Sequence, residues 1–307
     1  MNSNNNGSSA KLDVYAIVTT RITELLEQGT IPWRQPWTGA GIPRNAISKR
    51  PYRGINLWLL LSLHFEQNLF LTWDQIKKLG GSVKQGEHGH VVIYWKTPPK
   101  NDDAADGEKK VPILRYYKVF NIAQCRDLPE SLVEPLVPVE HQPILECEAV
   151  VTGMPQCPEI RHKQQEAFYH KVDDYINMPK KKSFQSPHLY YATLFHELVH
   201  STGSEKRLNR SSIAEMAEFG SELYSLEELI AEMGSAYLAS FTGIEHKSMD
   251  NTVAYIQGWL GKLRNDKRFI VQASGQAQRA VDFIINQPAP ATSETEDAAE
   301  SVVEDQK

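Results

Sequence analysis

Apolar positions Val14, Ile17, Val18, Ile22, Leu25 and Leu26 recur at helical spacing and stop before Gly29, which predicts a one-sided helix over residues 14–26. The next stretch, Ile31-Pro32-Trp33-Arg34-Gln35-Pro36-Trp37, holds two prolines and reads as an extended strip of alternating rings and polar groups. Residues 43–53 form a densely basic loop. Residues 55–67 and 73–79 read as helices, the second with Thr72 as N-cap and Gly80 beyond its end, and 91–96 and 114–122 read as strands. Between those strands, 98–110 is a charged hairpin excursion. Pro129, Pro135, Pro138 and Pro143 lie among acidic residues and mark a linker over 127–143. After it, short strands are expected around 147–151, 167–170 and 175–178, followed by helices at 187–202, 226–241, 250–264 and 267–286. Residues 1–10 and 288–307 bury little and read as a polar and an acidic disordered tail.

The 307 residues suffice for two domains, here 11–126 and 144–287. The longest apolar-rich stretch, 55–65, is shorter than the ~20 residues of a spanning helix, and the polar start has no signal-peptide core, so a cytoplasmic protein without a membrane partner is expected. Three widely spaced cysteines, Cys125, Cys147 and Cys157, argue against a disulfide framework or a cysteine zinc knuckle. Any metal must then use histidine and carboxylate. The net charge of −5 divides unevenly, since residues 1–130 hold 17 basic against 12 acidic side chains and the remainder 16 against 26.

Phe195-His196-Glu197-Leu198-Val199-His200 is an H-E-x-x-H sequence in a segment whose helical start is signalled by Ser186 and Pro187. Residues four apart share a helix face, so His196 and His200 can present both imidazoles to one ion, with Glu197 beside the water position. A third ligand is needed. Glu228 and Glu232 form an i,i+4 pair that can supply a ligand and a carboxylate orienting an imidazole; we take Glu228 as ligand and Glu232 as the orienting group, with Glu227 able to exchange roles with Glu228. The plainer alternative makes Ser225 and Glu228 a capping box at a helix start. In the peptidase reading Glu197 takes a proton from an activated water and returns it to the leaving amine. Tyr169, His170, His188, Tyr190, Tyr191, Tyr224 and His246 are all candidates for stabilising the oxyanion. The segment 167–170 is a candidate sheet edge for an extended peptide. Zinc suits the ligand types, and His/His/Glu also accepts manganese, cobalt or nickel.

Five of the six tryptophans lie in the basic half. Trp33, Arg34, Trp37, Arg44, Asn45, Lys49, Arg50, Tyr52, Arg53, Asn56 and Trp58 mix cations, rings and amides, the composition of surfaces that bind single-stranded DNA by phosphate neutralisation and base stacking. The alternative for each tryptophan is a core anchor beneath a proline-rich loop. The turn from Gly80 to Gly89 could add Lys84 as a phosphate contact, but it lacks the P-loop Lys-Ser/Thr and leads into a strand, which favours a structural turn.

Gly29-Thr30-Ile31-Pro32-Trp33, Pro43-Arg44-Asn45, Pro51-Tyr52-Arg53-Gly54-Ile55-Asn56, Val119-Phe120-Asn121, Asp174-Tyr175-Ile176-Asn177-Met178-Pro179, the extended H-E-x-x-H segment from Tyr191 and Glu227-Glu228-Leu229-Ile230-Ala231-Glu232 together resemble the ArdC antirestriction family. The N-terminal domain of that family is shared with plasmid primases of the TraC type. The resemblance implies an α+β architecture, an N-terminal α/β single-stranded-DNA-binding domain followed by a zincin-like, gluzincin-type metallopeptidase domain with a small sheet and the H-E-x-x-H helix. It further implies a conjugative-element protein that shields incoming DNA from restriction, with a host restriction subunit or another protein as partner or substrate. The competing expectation is a non-enzymatic binding protein whose metal site is structural or vestigial.

Overall fold

The computed structural model describes residues 13–34, 41–97, 112–132, 143–214, 222–244 and 252–287. Trp37, His246, both expected tails and the whole 98–110 excursion lie outside the described residues.

Helix α1 (Val14–Glu27) opens on Asp13, whose carboxylate accepts from the Ala16 amide. It buries Val14, Val18, Ile22, Leu25 and Leu26 and ends at Gly29, where φ of +80° suits glycine. A 3-10 turn over Pro32–Arg34 follows. The first sheet contains β1 (Arg44–Asn45), β2 (Leu69–Thr72), β4 (His90–Lys96) and β5 (Ile113–Asn121) in the order β1-β2-β5-β4, parallel only between β1 and β2. Helix α2 (Ile55–Leu61) lies between β1 and β2, and α3 (Trp73–Lys78) follows β2 with a Thr72/Gln75 capping box. Strands β3 (Ser82–Val83) and β6 (Cys125–Arg126) pair separately.

Helix α4 (Pro143–Gly153) leads into a second sheet of β7 (Glu159–Arg161), β8 (Phe168–His170) and β9 (Tyr175–Asn177), ordered β7-β9-β8. Then come α5 (Pro187–Ser201), the single turn α6 (Ser211–Ala214), α7 (Glu222–Phe241), α8 (Thr252–Asn265) and α9 (Phe269–Ile284). The chain is thus α+β in two parts. Among the described residues no helix is long and apolar enough to cross a membrane.

Several elements depart from the sequence expectation. The strand expected at 147–151 is part of α4, because Ile144, Cys147, Val150, Val151 and Met154 follow helical spacing and pack one stripe on the core. The helix expected over 55–67 stops at Leu61; His64 turns at φ +54°, and the apolar run 69–72 becomes the fully buried strand β2. Within the expected linker, Leu132 is buried against Leu69, Leu71 and Ile76.

One apolar cluster runs through both parts, from Val18, Trp33 and Trp58 to Leu198, Leu238 and Val281. Polar contacts cross the same boundary. Arg53 forms a two-pronged ion pair with Asp282 of α9, the Gly54 amide donates to Gln278 Oε1 at 3.0 Å, and Thr19 donates to the Lys267 carbonyl at 2.7 Å. Gln278 also donates to Asp282 at 3.1 Å. Asp282 is buried, so removing its partner strands a charge. Arg53→Met is expected to lower unfolding free energy by about 3 kcal/mol, and Arg53→Met with Asp282→Leu to recover most of it. Denaturant titration checks this; equal losses in the single and double variants would contradict it.

Candidate metal centre

The centre is built on two packed helices. On α5, Ser186 accepts from the Leu189 amide at 3.3 Å and Pro187 occupies the first turn. On α7, Gly234 faces Val199: a Cβ there would lie 2.8 Å from Val199 Cγ2. Glycine therefore lets the two helices approach closely, which brings α7 carboxylates to the imidazoles of α5.

One ligand atom each from His196, His200 and Glu228 lies within 4.8 Å of the others. The two Nε2 atoms are 3.0 Å apart, and Glu228 oxygens stand 3.6 Å from His196 Nε2 and 3.7 Å from His200 Nε2. Donors ~2.0–2.1 Å from a tetrahedral ion are about 3.4 Å from one another, so this triangle fits a small divalent cation. Helix α7 begins at Glu222, which moves Ser225 inside the helix and rules out the Ser225/Glu228 capping box at its start.

Glu227 meets the outer nitrogen of the His200 imidazole. Its Oε1 lies 3.2 Å from His200 Nδ1, and this carboxylate assigns the proton to Nδ1 and leaves the Nε2 lone pair facing the centre. Adjacent positions on a helix diverge by about 100°, so Glu227 reaches the outer nitrogen while Glu228 reaches the inner ones. Glu232, a turn further along, contributes negative charge near His196. Glu227 is itself held: Arg210 Nε donates to it at 2.9 Å, Arg210 Nη2 and the Ser212 hydroxyl also donate, and all three side chains are buried. Arg210 further donates to Thr202 Oγ1 at 2.6 Å and to the Val199 carbonyl at 2.8 Å, closing the end of α5. A side chain at Gly203 would collide with Ile213 Cγ1 at 2.5 Å, so glycine permits this tight return.

The local field favours a cation. Burial disfavours a charged His196 ring, but the Glu228 contact and the charges of Glu197, Glu232 and Glu228 outweigh it and push its pKa up to about 9. Burial likewise opposes ionisation of Glu227, yet its contact with His200 and the Arg210 charge bring it down to about 2. Burial and the Glu228 carboxylate push Tyr224 up to about 12, with Glu197 adding to the effect. Glu197 is only 8% exposed.

Tyr224 thus neighbours Glu228 and Glu197, unlike several other oxyanion candidates. Tyr169 donates to Asp174 at 2.9 Å, Tyr190 and Tyr191 are buried, and His170 stacks on Tyr175 at 4.9 Å. His188 sits in the first turn of α5, remote from the motif. Strand β8 is an edge of its sheet and packs near α5. The sequence reading missed Arg210 and Ser212, which carry no periodic or motif signal.

The residues expected on the DNA surface separate into two groups. Trp33 and Tyr52 are 1% and 8% exposed, so both rings belong to the core and offer no face for stacking. Trp58 is buried as well. Asn45 is buried and shapes its turn, accepting from the amides of Ile47 and Ser48, each at 3.0 Å. Arg53 pairs with Asp282, Asn56 exchanges hydrogen bonds with the Ile93 backbone at 2.7 Å, and the Lys84 ammonium donates to the Ala123 carbonyl at 2.6 Å. Arg44 is half-buried, and Lys49 and Arg50 are exposed on the same turn. Arg34 belongs to the 3-10 turn after α1. Gly81 and Gly89 are close-approach positions, where a Cβ would meet Leu128 at 2.7 Å and Lys118 at 2.9 Å. The glycine-rich segment is therefore a packed turn.

Comparison with known proteins gives the class first. Residues 149–276 match a zincin-like metallopeptidase family and residues 12–120 match the N-terminal domain of anti-restriction factor ArdC. The metal-free crystal structure of antirestriction ArdC from plasmid R388 is 34% identical, with a TM-score of 0.71 over 94% of this chain and 99% of that one. Its Mn(II)-bound form gives 0.72 over 90% and 98% at the same identity. Uncharacterized protein y4eC of Sinorhizobium fredii (strain NBRC 101917 / NGR234) is 32% identical across 91% of this chain and 94% of its own length. DNA primase TraC of Escherichia coli is 33% identical across 87% of this chain but only 26% of its own length. The chain belongs to the ArdC antirestriction family.

The anchoring carboxylates set an acid limit. Glu227 is lowered from 4.5 to about 2, and Asp174, although burial opposes its charge, is lowered from 3.8 to about 2 by Arg207, Lys206 and Tyr169. Carboxylates with depressed pKa stabilise the fold fully above their unfolded values and lose that contribution as pH falls toward the folded ones. Thermal melts from about pH 5 to pH 2 should show a steep stability loss. A flat profile there would mean these pairs carry no net stability.

Proposed function

We propose that this protein acts in the cytoplasm to protect DNA entering on a conjugative element, binding it as a single strand and carrying a divalent-metal, peptidase-type centre. The observation that supports the centre most directly is the triangle of His196, His200 and Glu228 donor atoms beside the buried Glu197. The Mn(II)-bound ArdC relative supports a divalent ion of this kind, and the His/His/Glu set equally suits zinc.

A divalent ion held by these three side chains would polarise a carbonyl and acidify a water. Glu197 is the general base that takes the proton from the attacking water and returns it to the leaving amine. The Arg210–Glu227 pair holds the His200 ring in the tautomer that offers Nε2. Tyr224 holds Glu228 and is the side chain best placed to donate to a developing oxyanion. A host restriction subunit or another protein would be the substrate or partner.

Elemental analysis should give about one divalent ion per chain, lost in His196→Ala and Glu228→Ala. Glu197→Gln should retain the ion and abolish proteolysis. Transfer of unmodified DNA into a restricting host then distinguishes cleavage from binding. Protection by Glu197→Gln equal to wild type, together with loss of protection in Lys49→Glu/Arg50→Glu, would favour a non-enzymatic binding protein. Oligonucleotide affinity must also fall steeply with salt if phosphates are tracked.

A further inference from the structure

With Trp33, Tyr52 and Trp58 in the core, the expected DNA surface has lost three of its stacking rings, while Trp73 is 43% exposed. This indole lies in the first turn of α3, directly after the central strand β2. Its ring rests against Phe120 of β5 with centroids 5.8 Å apart and planes tilted by 54°. Phe120 is only 8% exposed and packs beneath it, so the indole has a firm backing without being covered.

A cation stands over this ring and another shares the face of the sheet beneath it. Lys77 Nζ stands 5.3 Å from its centroid, and Lys118, exposed, projects from the same face of β5 as Phe120. The basic turn is tied to the same helix: Asn45 Nδ2 donates to Gln75 Oε1 at 2.9 Å, and the Lys49 amide donates to the Asn45 carbonyl at 3.0 Å. A buried amide thus holds the exposed Lys49 and Arg50 in fixed relation to Trp73. Among the described residues the other strongly exposed tryptophan, Trp95 at 48%, has a different setting. Its ring meets Tyr15 of α1 edge-on at 6.5 Å, the Arg268 guanidinium lies over that Tyr15 ring at 5.4 Å, and the tie from the basic turn runs to α3 rather than to this site.

We propose that Trp73 is the stacking platform for an unpaired nucleobase, with Lys77, Lys118 and the Lys49/Arg50 turn contacting the flanking phosphates. The inference rests on the single-stranded-DNA reading above and deepens it by naming the base-contacting ring. Lys77 has a flexible stem, so its ammonium can leave the ring face for a phosphate when a base arrives. Stacking reads the π-face that all bases share, so the ring confers affinity with little sequence preference.

Fluorescence anisotropy with a labelled mixed-sequence single-stranded oligonucleotide, at fixed low salt, tests this on the full chain. Trp73→Ser should weaken binding by about 5- to 150-fold, Trp73→Phe should restore part of the affinity, and Trp95→Ser should leave it unchanged. Bound oligonucleotide should also quench indole emission in wild type and less in Trp73→Ser. Unchanged affinity in Trp73→Ser, with binding lost in Lys49→Glu/Arg50→Glu, would overturn the stacking assignment and leave the DNA reading standing. Absence of binding by wild type would overturn both. Circular dichroism melts of each variant separate a binding defect from a folding one, and Trp73→Phe supplies the same readout with a ring retained.

Discussion

The buried Arg210–Glu227 ion pair is the contact on which the metal centre depends. Two charges removed from water are costly unless each finds several partners, and here each does. Arg210 donates to Glu227, Thr202 and the Val199 carbonyl, while Glu227 accepts from Arg210, Ser212 and His200. The same guanidinium therefore closes the end of α5, holds α7 against it and fixes an imidazole tautomer. Gly203 and Gly234 are the steric counterpart, each giving up a side chain where Ile213 or Val199 already fills the space. A metal-binding triangle needs donor atoms placed to fractions of an ångström, and this packed, fully bonded support supplies that placement.

A second network steadies the small sheet behind the centre. Arg207 donates to the Ser201 carbonyl at 2.7 Å and pairs with Asp174, which also receives Tyr169 and Lys206. Asp174 sits at φ +54° in the turn between β8 and β9, a conformation that aspartate tolerates better than most side chains. The residues just after the second histidine thus tie α5 in two directions, to α7 through Arg210 and to the sheet through Arg207. The loop from 201 to 210 works as a structural clamp.

Local patterns in the sequence were legible where local physics decides the outcome. The Ser186-Pro187 start, the Thr72 cap, the stripe of α1 and the i,i+4 histidines each appear in the structure as their spacing implies. Residues 69–72 were not legible as a strand because a short apolar run carries no period that separates a buried strand from a helix. At 147–151 the helical period was present, but β-branched valines and nearby prolines obscured it. Glu227 and Glu228 could not be ordered from spacing alone, because the order depends on which ring nitrogen each helix side meets. Arg210 was invisible for a simpler reason: a buried arginine differs from a surface one only through partners distant in sequence.

The basic half shows how a compositional signal fails to separate surface residues from core ones. Tryptophan serves both as core filler and as stacking surface, and composition does not separate the uses. Trp33 and Trp58 join the apolar cluster that continues into α7, α8 and α9, where they help join the two parts of the chain. Arg53 is drawn into the same boundary by Asp282. The segment from Trp33 to Trp58 consequently does two jobs: its buried members bind the two halves together, while Lys49 and Arg50 remain exposed at the turn tip. That turn and the Arg53 anchor share one short stretch of chain, and α9, to which Arg53 is tied, packs on α7. The shared core and the Arg53–Asp282 pair join the two parts of the chain through packed side chains.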